Sequence, residues 1–294
     1  MNPLSCLRGV RQVEWLRRMN DALSYMEDNL DGEVSIEKAA QLACCSQYHF
    51  QRMFSYIIGV TLSEYLRRRK ITKAALDLQS GDKVIDVALR YGYDSPTAFN
   101  RAFQAIHGIS PRAAQKPDTV LKAFPPVSFQ IIIKGVTEMD YRIMEKEGFR
   151  IVGIRVKIGT DVEENAKIIM PFWVEASEKG LLEPIIDLIN GEPTGLLGVC
   201  VDTAGDGGYY HICAVTDKPV PENMFEVNIP KHTWAIFSGN GKPSTIAGLF
   251  HRIYSEWQPT SGYEWAANVD MEVYLDDDPD DMKYEIWMPV VKKT

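Results

Sequence analysis

One segment of this chain is used twice. Residues 36–54, IEKAAQLACCSQYHFQRMF, align without a gap on residues 85–103, IDVALRYGYDSPTAFNRAF (36 to 85, an offset of 49), with identities at Ile36/Ile85, Ala39/Ala88, Ser46/Ser95, Phe50/Phe99, Arg52/Arg101 and Phe54/Phe103. A repeat of this length is one supersecondary unit made twice. Each copy reads as a short helix, a tight turn and a second helix. Ser46 or Ser95 caps that second helix, where its hydroxyl accepts from backbone N–H groups with no helical partner; Pro96 then takes the first helical position, which needs no N–H. This is a helix-turn-helix pattern.

In the second helix of the first copy, Phe50, Phe54 and Ile57 fall on one face and Tyr48, Gln51, Arg52 and Ser55 on the other. The second copy sets Phe99, Phe103 and Ile106 against Thr97, Asn100, Arg101 and Gln104. Arg can bond guanine edges and Gln or Asn adenine edges in a bidentate way, and a helix fits the major groove. The expected DNA-reading residues are therefore Gln47, Tyr48, Gln51 and Arg52 in one copy, and Pro96, Thr97, Asn100 and Arg101 in the other. Between the copies, Thr61-Leu62-Ser63-Glu64 is a capping box that opens a helix running to about Leu78. Its run Arg67, Arg68, Arg69 and Lys70 reads equally as a phosphate clamp and as a solvated face.

Charge divides the chain in the same sense. Of 32 Lys+Arg and 40 Asp+Glu, residues 1–116 hold 16 and 12, a net of +4, which leaves 16 and 28, a net of -12, for residues 117–294. The two halves face different partners. The start, MNPLSCLRGVRQVEW, lacks the apolar core of a signal peptide, and no window approaches the ~20 apolar residues of a membrane span, so a cytoplasmic protein that avoids membranes is expected. Five cysteines, Cys6, Cys44, Cys45, Cys200 and Cys213, are odd in number and show no CxxC spacing; reduced thiols are expected, with no metal site and no cofactor. Cys44 and Cys45 read as small residues packed in a turn.

Residues 13–115 resemble the DNA-binding domain of AraC-type transcription regulators, on the strength of SIEKAAQLACCSQYHFQRMF and VIDVALRYGYDSPTAFNRAFQAIHGISPRAAQ. Within that family the likeness is greatest to drug-response and stress activators, in which an aromatic followed by His-x-Gln-Arg opens the first recognition helix, here Tyr48 to Arg52. The second recognition helix departs from them at Pro96, Thr97 and Asn100. The resemblance implies sequence-specific binding of double-stranded DNA and activation of transcription.

A proline-bearing stretch, AQKPDTVLKAFPPV (114–127), breaks regular structure. The expected division is a DNA-binding domain at 1–116, a linker at 117–134 and a second domain at 135–294. In that last domain strand and helix patterns alternate: strands at 149–159, 195–202 and 209–216 around a helix at 165–179, then strands at 233–239, 271–275 and 284–290 around a helix at 244–257. The fold class expected is thus two-domain, an all-α double helix-turn-helix domain followed by an α+β domain of duplicated β-α-β-β units, with a pocket where the two halves of the sheet meet.

Residues 135–294 resemble the GyrI-like effector-binding domain of multidrug-sensing regulators, through IPKHTWAIFSGNG, SEWQPTSGYEW, MEVYLDDDP and YEIWMPV. Alternation in MEVYL puts Glu272 and Tyr274 on one face, and a carboxylate on an inner strand face is costly unless paired, which points to a cation. By the resemblance, Glu272 matches the glutamate that meets lipophilic cations in GyrI-like drug sensors. Trp173, Tyr210, Trp234, Phe237 and Tyr274 are candidates to add cation–π attraction. Glu285 and Trp287 alternate in the same way on the last strand, and the acidic run 276–281 reads as a solvated turn.

The leading reading is therefore a regulator that responds to a small lipophilic or cationic effector, and not an enzyme. Two alternatives stay open: a small-molecule hydrolase using paired carboxylates, and a domain that serves only protein–protein contacts, for example to RNA polymerase. The five histidines, His49, His107, His211, His232 and His251, are scattered, and no Ser-His-Asp or Cys-His set is apparent.

Overall fold

The computed structural model describes residues 3–130, 138–159, 162–202, 208–276, 278 and 280–293. Helices α1 (Pro3–Asp28), α2 (Ile36–Leu42), α3 (Gln47–Ile58), α4 (Leu62–Gln79), α5 (Val84–Arg90), α6 (Pro96–His107) and α7 (Pro111–Ala114) come first. The rest interleaves strands β1 (Tyr141–Lys146), β2 (Phe149–Ile158), β3 (Leu196–Val201), β4 (Gly208–Val215), β5 (Phe225–Ile229), β6 (His232–Gly241), β7 (Tyr263–Trp265), β8 (Val269–Tyr274) and β9 (Met282–Lys292) with helices α8 (Val162–Glu178), α9 (Leu182–Ile186), α10 (Thr245–Arg252) and α11 (Gln258–Thr260). A π-helical turn, Ile253–Trp257, joins α10 to α11. No helix among the described residues is long and apolar enough to cross a membrane.

Contacts divide the chain into two compact units. One is helical, built from Val13–Cys44 and residues 60–130; the other takes Cys45–Gly59, the first residues of α1 and the described residues from 138 onward. Helix α3, which the sequence groups with the DNA-binding half, belongs by its contacts to the sheet-bearing unit.

The repeat extends beyond its most similar stretch. Ser46 accepts from His49 N and Ser95 from Thr97 N and Ala98 N, and each second helix ends at a left-handed glycine, Gly59 and Gly108, both at φ 76°. The helices that follow are capped by Thr61 and Ser110, again at equivalent places. The same chain path is thus written twice in local chemistry. In the helical unit Ile71, Ala74 and Leu78 of α4, Val87 and Ala88 of α5, and Phe99 and Phe103 of α6 form one core.

Arg69 departs from both readings of the basic run on α4. It is buried, with its guanidinium bonded twice to Glu27 (2.7 and 2.8 Å) and once to the Phe124 carbonyl, while Tyr65 donates to the same Glu27 at 2.7 Å. Arg67 and Arg68 pair with Glu64, and Lys70 bonds the Gly32 carbonyl at 2.8 Å. The described part of the interdomain stretch is pinned to this unit: Phe129 exchanges two hydrogen bonds with Asn20 (3.0 and 2.9 Å), and Lys122 N donates to His107 Nδ1 at 3.2 Å. Residues 131–134 of the expected linker lie outside the described residues, as do 277 and 279 of the acidic run; there Asp278 accepts from the Asp280 and Asp281 N–H groups in a local turn.

The strands of the other unit form one antiparallel sheet in the order β1-β6-β9-β8-β3-β4-β2-β5, with β7 paired to β9. Its centre is the β3–β8 pair. To one side lie β4 and β2, to the other β9 and β6, so β2-α8-β3-β4 and β6-α10-β8-β9 are the two halves of the expected duplication, joined at Gly198↔Glu272. Strands β1, β5 and β7 are additions the sequence reading did not anticipate.

Both faces of the sheet are covered. On one, Leu197, Val199, Met271, Val273, Cys213, Ile236, Trp234 and Trp287 make an apolar core. The Phe149 and Trp234 rings meet there at 6.4 Å, although β2 and β6 are five strand spacings apart and would lie about 24 Å from one another in a flat sheet. The sheet therefore curls around this face. The other face carries Val152, Tyr210, Ile212, Ala214 and Cys200 against α8 and against Tyr48 of α3.

Candidate functional site

The site lies on that second face, at the seam between the two halves of the sheet. Strand register sets Gly198, Glu272, Ile286 and Phe237 in one row across β3, β8, β9 and β6. The Glu272 carboxylate accepts from Tyr210 Oη at 3.0 Å and Tyr274 Oη at 2.9 Å. Trp173 of α8 donates its indole N–H to Tyr210 Oη at 2.9 Å and sets its ring edge-on to Tyr274 at 5.1 Å. Gly198 makes room for this group: a Cβ there would stand 2.0 Å from Tyr210 Oη and 2.7 Å from Glu272 Oε2.

Glu272 is only partly buried, so solvent reaches it, and among the described residues no Lys or Arg pairs with it. Burial first, and the neighbouring Asp270 charge second, lift its carboxyl from 4.5 to about 7; the two tyrosine hydroxyls pull the other way. Such a group gains from a cation more than an ordinary surface carboxylate does.

Of the candidate ligand residues, the structure brings together Glu272, Tyr274, Tyr210 and Trp173. Trp234 is a correction. It pairs with Pro289, points to the opposite face and packs on Trp287 at 5.9 Å in the closed core. Phe237 shares the face of Glu272 but stands two strands away, about 10 Å, and packs on Trp257 at 4.9 Å. Glu285 and Trp287 also lie on the opposite face, where Arg142 forks onto Glu285 (2.7 and 2.9 Å) and Trp287 donates to it at 2.9 Å. Glu285 is thus already neutralised.

The sequence reading missed Asp270. It sits two residues before Glu272 on the same face of β8, about 7 Å along the strand, and is 1% exposed. Its partners come from α3. Tyr48 Oη donates to one carboxylate oxygen, and Arg52 Nη2 donates to the other at 3.2 Å. The Arg52 guanidinium lies 5.4, 5.6 and 5.2 Å from the Tyr48, Tyr56 and Phe250 ring centroids. Burial is the largest single influence and works against its charge, but Asp270 together with Tyr48, Tyr56 and Cys200 outweighs it and holds the guanidinium protonated. Tyr56 stacks on Phe250 (5.2 Å) and Tyr254 (5.6 Å), and His49 stacks on Trp265 (5.4 Å) while bonding the Ala267 carbonyl at 2.6 Å. Burial keeps His49 neutral, with its pKa lowered to about 3.

The expectation of an exposed polar face on the first recognition helix therefore does not hold: Tyr48, Gln51, Arg52 and Ser55 are exposed by 5%, 6%, 7% and 9%. Gln47 before them is half-buried. The second copy differs. Pro96, Thr97 and Arg101 are exposed and Asn100 is partly so. Equivalent positions of the repeat thus have opposite environments, and the helices' own sequences carry no signal of this.

Comparison with known proteins identifies both halves. Residues 142–290, just over half of the chain, match the family described as integron-associated effector binding protein, and residues 39–116 match a helix-turn-helix domain family. The activator AarP of Providencia stuartii is 40% identical over 102 residues, which cover 34% of this chain and 76% of that protein. The chain is an AraC-family transcriptional regulator with an effector-binding domain. The multiple antibiotic resistance protein MarA of Escherichia coli is 35% identical to this regulator over 102 residues, covering 32% of it and 80% of MarA. Among solved structures, that of SAV2435 bound to tetraphenylphosphonium covers 52% of the regulator and 94% of its own chain at 20% identity and a TM-score of 0.48.

Proposed function

We propose that this regulator activates transcription in response to a lipophilic cation bound at Glu272, and that both recognition helices read DNA. The observation that carries the ligand reading is a partly buried carboxylate that accepts from two tyrosine hydroxyls, one of which is itself bonded by Trp173, and that has no cationic partner among the described residues. A desolvated carboxylate inside an aromatic wall favours a cation whose shell is apolar over a hydrated metal ion. The division into a DNA-binding region at 1–116, a linker at 117–134 and an effector region at 135–294 belongs to the same proposal. So do Gln47, Tyr48, Gln51, Arg52, Pro96, Thr97, Asn100 and Arg101 as DNA contacts, and RNA polymerase as the partner through which activation is exerted. The activator role draws on the name of AarP.

A hydrolase is the weaker reading. Both oxygens of Asp270 are engaged by Tyr48 and Arg52, which leaves Glu272 without a second free carboxylate beside it to complete an acid–base pair. Titration of the full chain with benzyltrimethylammonium and with its uncharged isostere neopentylbenzene, followed by tryptophan fluorescence, tests the ligand reading. Saturable binding of the cation with much weaker binding of the isostere supports it; equal binding of the two refutes it.

A further inference from the structure

We propose that Asp270, with Phe250 and Tyr254, is a second cation seat of the effector site, that Arg52 of α3 fills this seat in the resting protein, and that an organic cation and helix α3 compete for it. This rests on the reading of Glu272 as a cation site and deepens it. The seat has every element of the ligand chemistry argued above: a carboxylate 1% exposed, stacked rings, and a cation already in place. Two of the rings about that cation, Tyr48 and Tyr56, come from α3 itself. The helix therefore delivers to the sheet a lipophilic cation made of its own side chains.

The consequence is mutual exclusion. A buried Asp270 requires a positive partner, and an effector that supplies one removes the need for Arg52. The two seats lie on one strand face two residues apart, so an occupant of the size of a substituted ammonium at Glu272 extends toward Asp270. While α3 is docked, Tyr48, Gln51 and Arg52 are buried and cannot reach a base edge. Release of the helix turns a one-reader protein, with only Arg101 and its neighbours exposed, into a two-reader one. Competition of this kind lowers the apparent affinity of the cation by the fraction of molecules whose seat is open.

Three measurements on the full chain test it. Arg52→Met removes the internal cation, keeps the length of the side chain, and should bind benzyltrimethylammonium about tenfold or more tightly than the parent. Because Asp270 then loses its partner, the double variant Arg52→Met/Asp270→Asn serves as the folded control and should lose that gain. In the unaltered protein, saturating cation should speed amide hydrogen exchange in residues 47–58, where competition leaves the helix undocked. Asp270→Asn, which keeps every proposed DNA contact, should raise affinity for mixed-sequence duplex DNA at low salt. If the cation binds in a Glu272-dependent way but Arg52→Met leaves its affinity unchanged and exchange in α3 does not move, competition is overturned and the cation reading stands. If neither the parent nor Arg52→Met binds the cation, both fall.

Discussion

The charge of Glu272 gives the cation reading a pH signature. With a carboxyl pKa of about 7, roughly a tenth of the side chains are ionised one unit below and roughly nine-tenths one unit above. A ligand that binds only the ionised form should therefore gain about tenfold in affinity between about pH 6 and about pH 8, then level off. Tyr210, Tyr274 and Cys200 beside Glu272 do not titrate in that window, because burial holds their pKa values well up, and Arg52 stays charged. Glu272→Gln keeps the shape and the acceptor for the tyrosine hydroxyls while deleting the charge. It should weaken benzyltrimethylammonium by ~2 to 5 kcal/mol, change neopentylbenzene little and flatten the profile.

Stability should move with the opposite sign. A carboxyl whose pKa rises on folding binds more protons in the folded state, so stability falls as pH climbs from 4.5 to about 7, by a total of about 3 kcal/mol. Denaturant unfolding across that range should show the fall in the parent and lose this part of it in Glu272→Gln. Fluorescence titrations at the two pH values decide the ligand half: a cation affinity independent of pH, or one retained in Glu272→Gln, would refute the assignment of charge recognition to this side chain.

Gly198→Ala should drive a Cβ into Tyr210 Oη and Glu272, costing ~1 to 3 kcal/mol in thermal or denaturant unfolding and abolishing cation binding; unchanged binding would mean that the tyrosine does not orient the carboxylate. Arg69→Ala breaks a buried pair and should destabilise the helical unit by ~3 kcal/mol, seen as an earlier unfolding transition by circular dichroism. Ser95→Ala should cost ~1 kcal/mol through the lost cap of α6. Arg101→Ala should leave folding intact and, where the side chain reads a base, cost ~1 to 3 kcal/mol in binding to a selected operator, measured by electrophoretic shift.

How much was legible follows from how local each signal is. The double helix-turn-helix was readable because caps, turn glycines and apolar faces are written within a few residues, and the repeat supplied a second reading of the same code. The six inner strands were readable as apolar runs. Strands β1 and β5 were not, because they are the two edges of the sheet: YRIMEK and FEVNI are short, largely exposed and carry charges, YRIMEK lacks strict alternation, and the alternation that FEVNI does show runs over only five residues. The aromatic set was over-inclusive for a reason the sequence did contain. Trp234 and Phe237 are three residues apart on one strand, so period-two alternation already forbids both from facing Glu272. The same rule, applied two residues back from Glu272, points to Asp270.

Arg52 marks where sequence logic has to stop. A guanidinium on a helix is suited to the guanine edge because it is flat, always charged and bidentate, and those properties suit a buried carboxylate among tyrosine rings equally well. Arg101, at the same place in the repeat, is exposed and meets neither partner in the free protein. What separates the two arginines is not in their own helices. It is an aspartate more than 200 residues downstream, on a strand whose register brings it beneath Tyr48 and Arg52. The residue chemistry that makes this helix a reader of DNA is also what lets the effector-binding half hold it, and that dual fitness is what a competing cation would exploit.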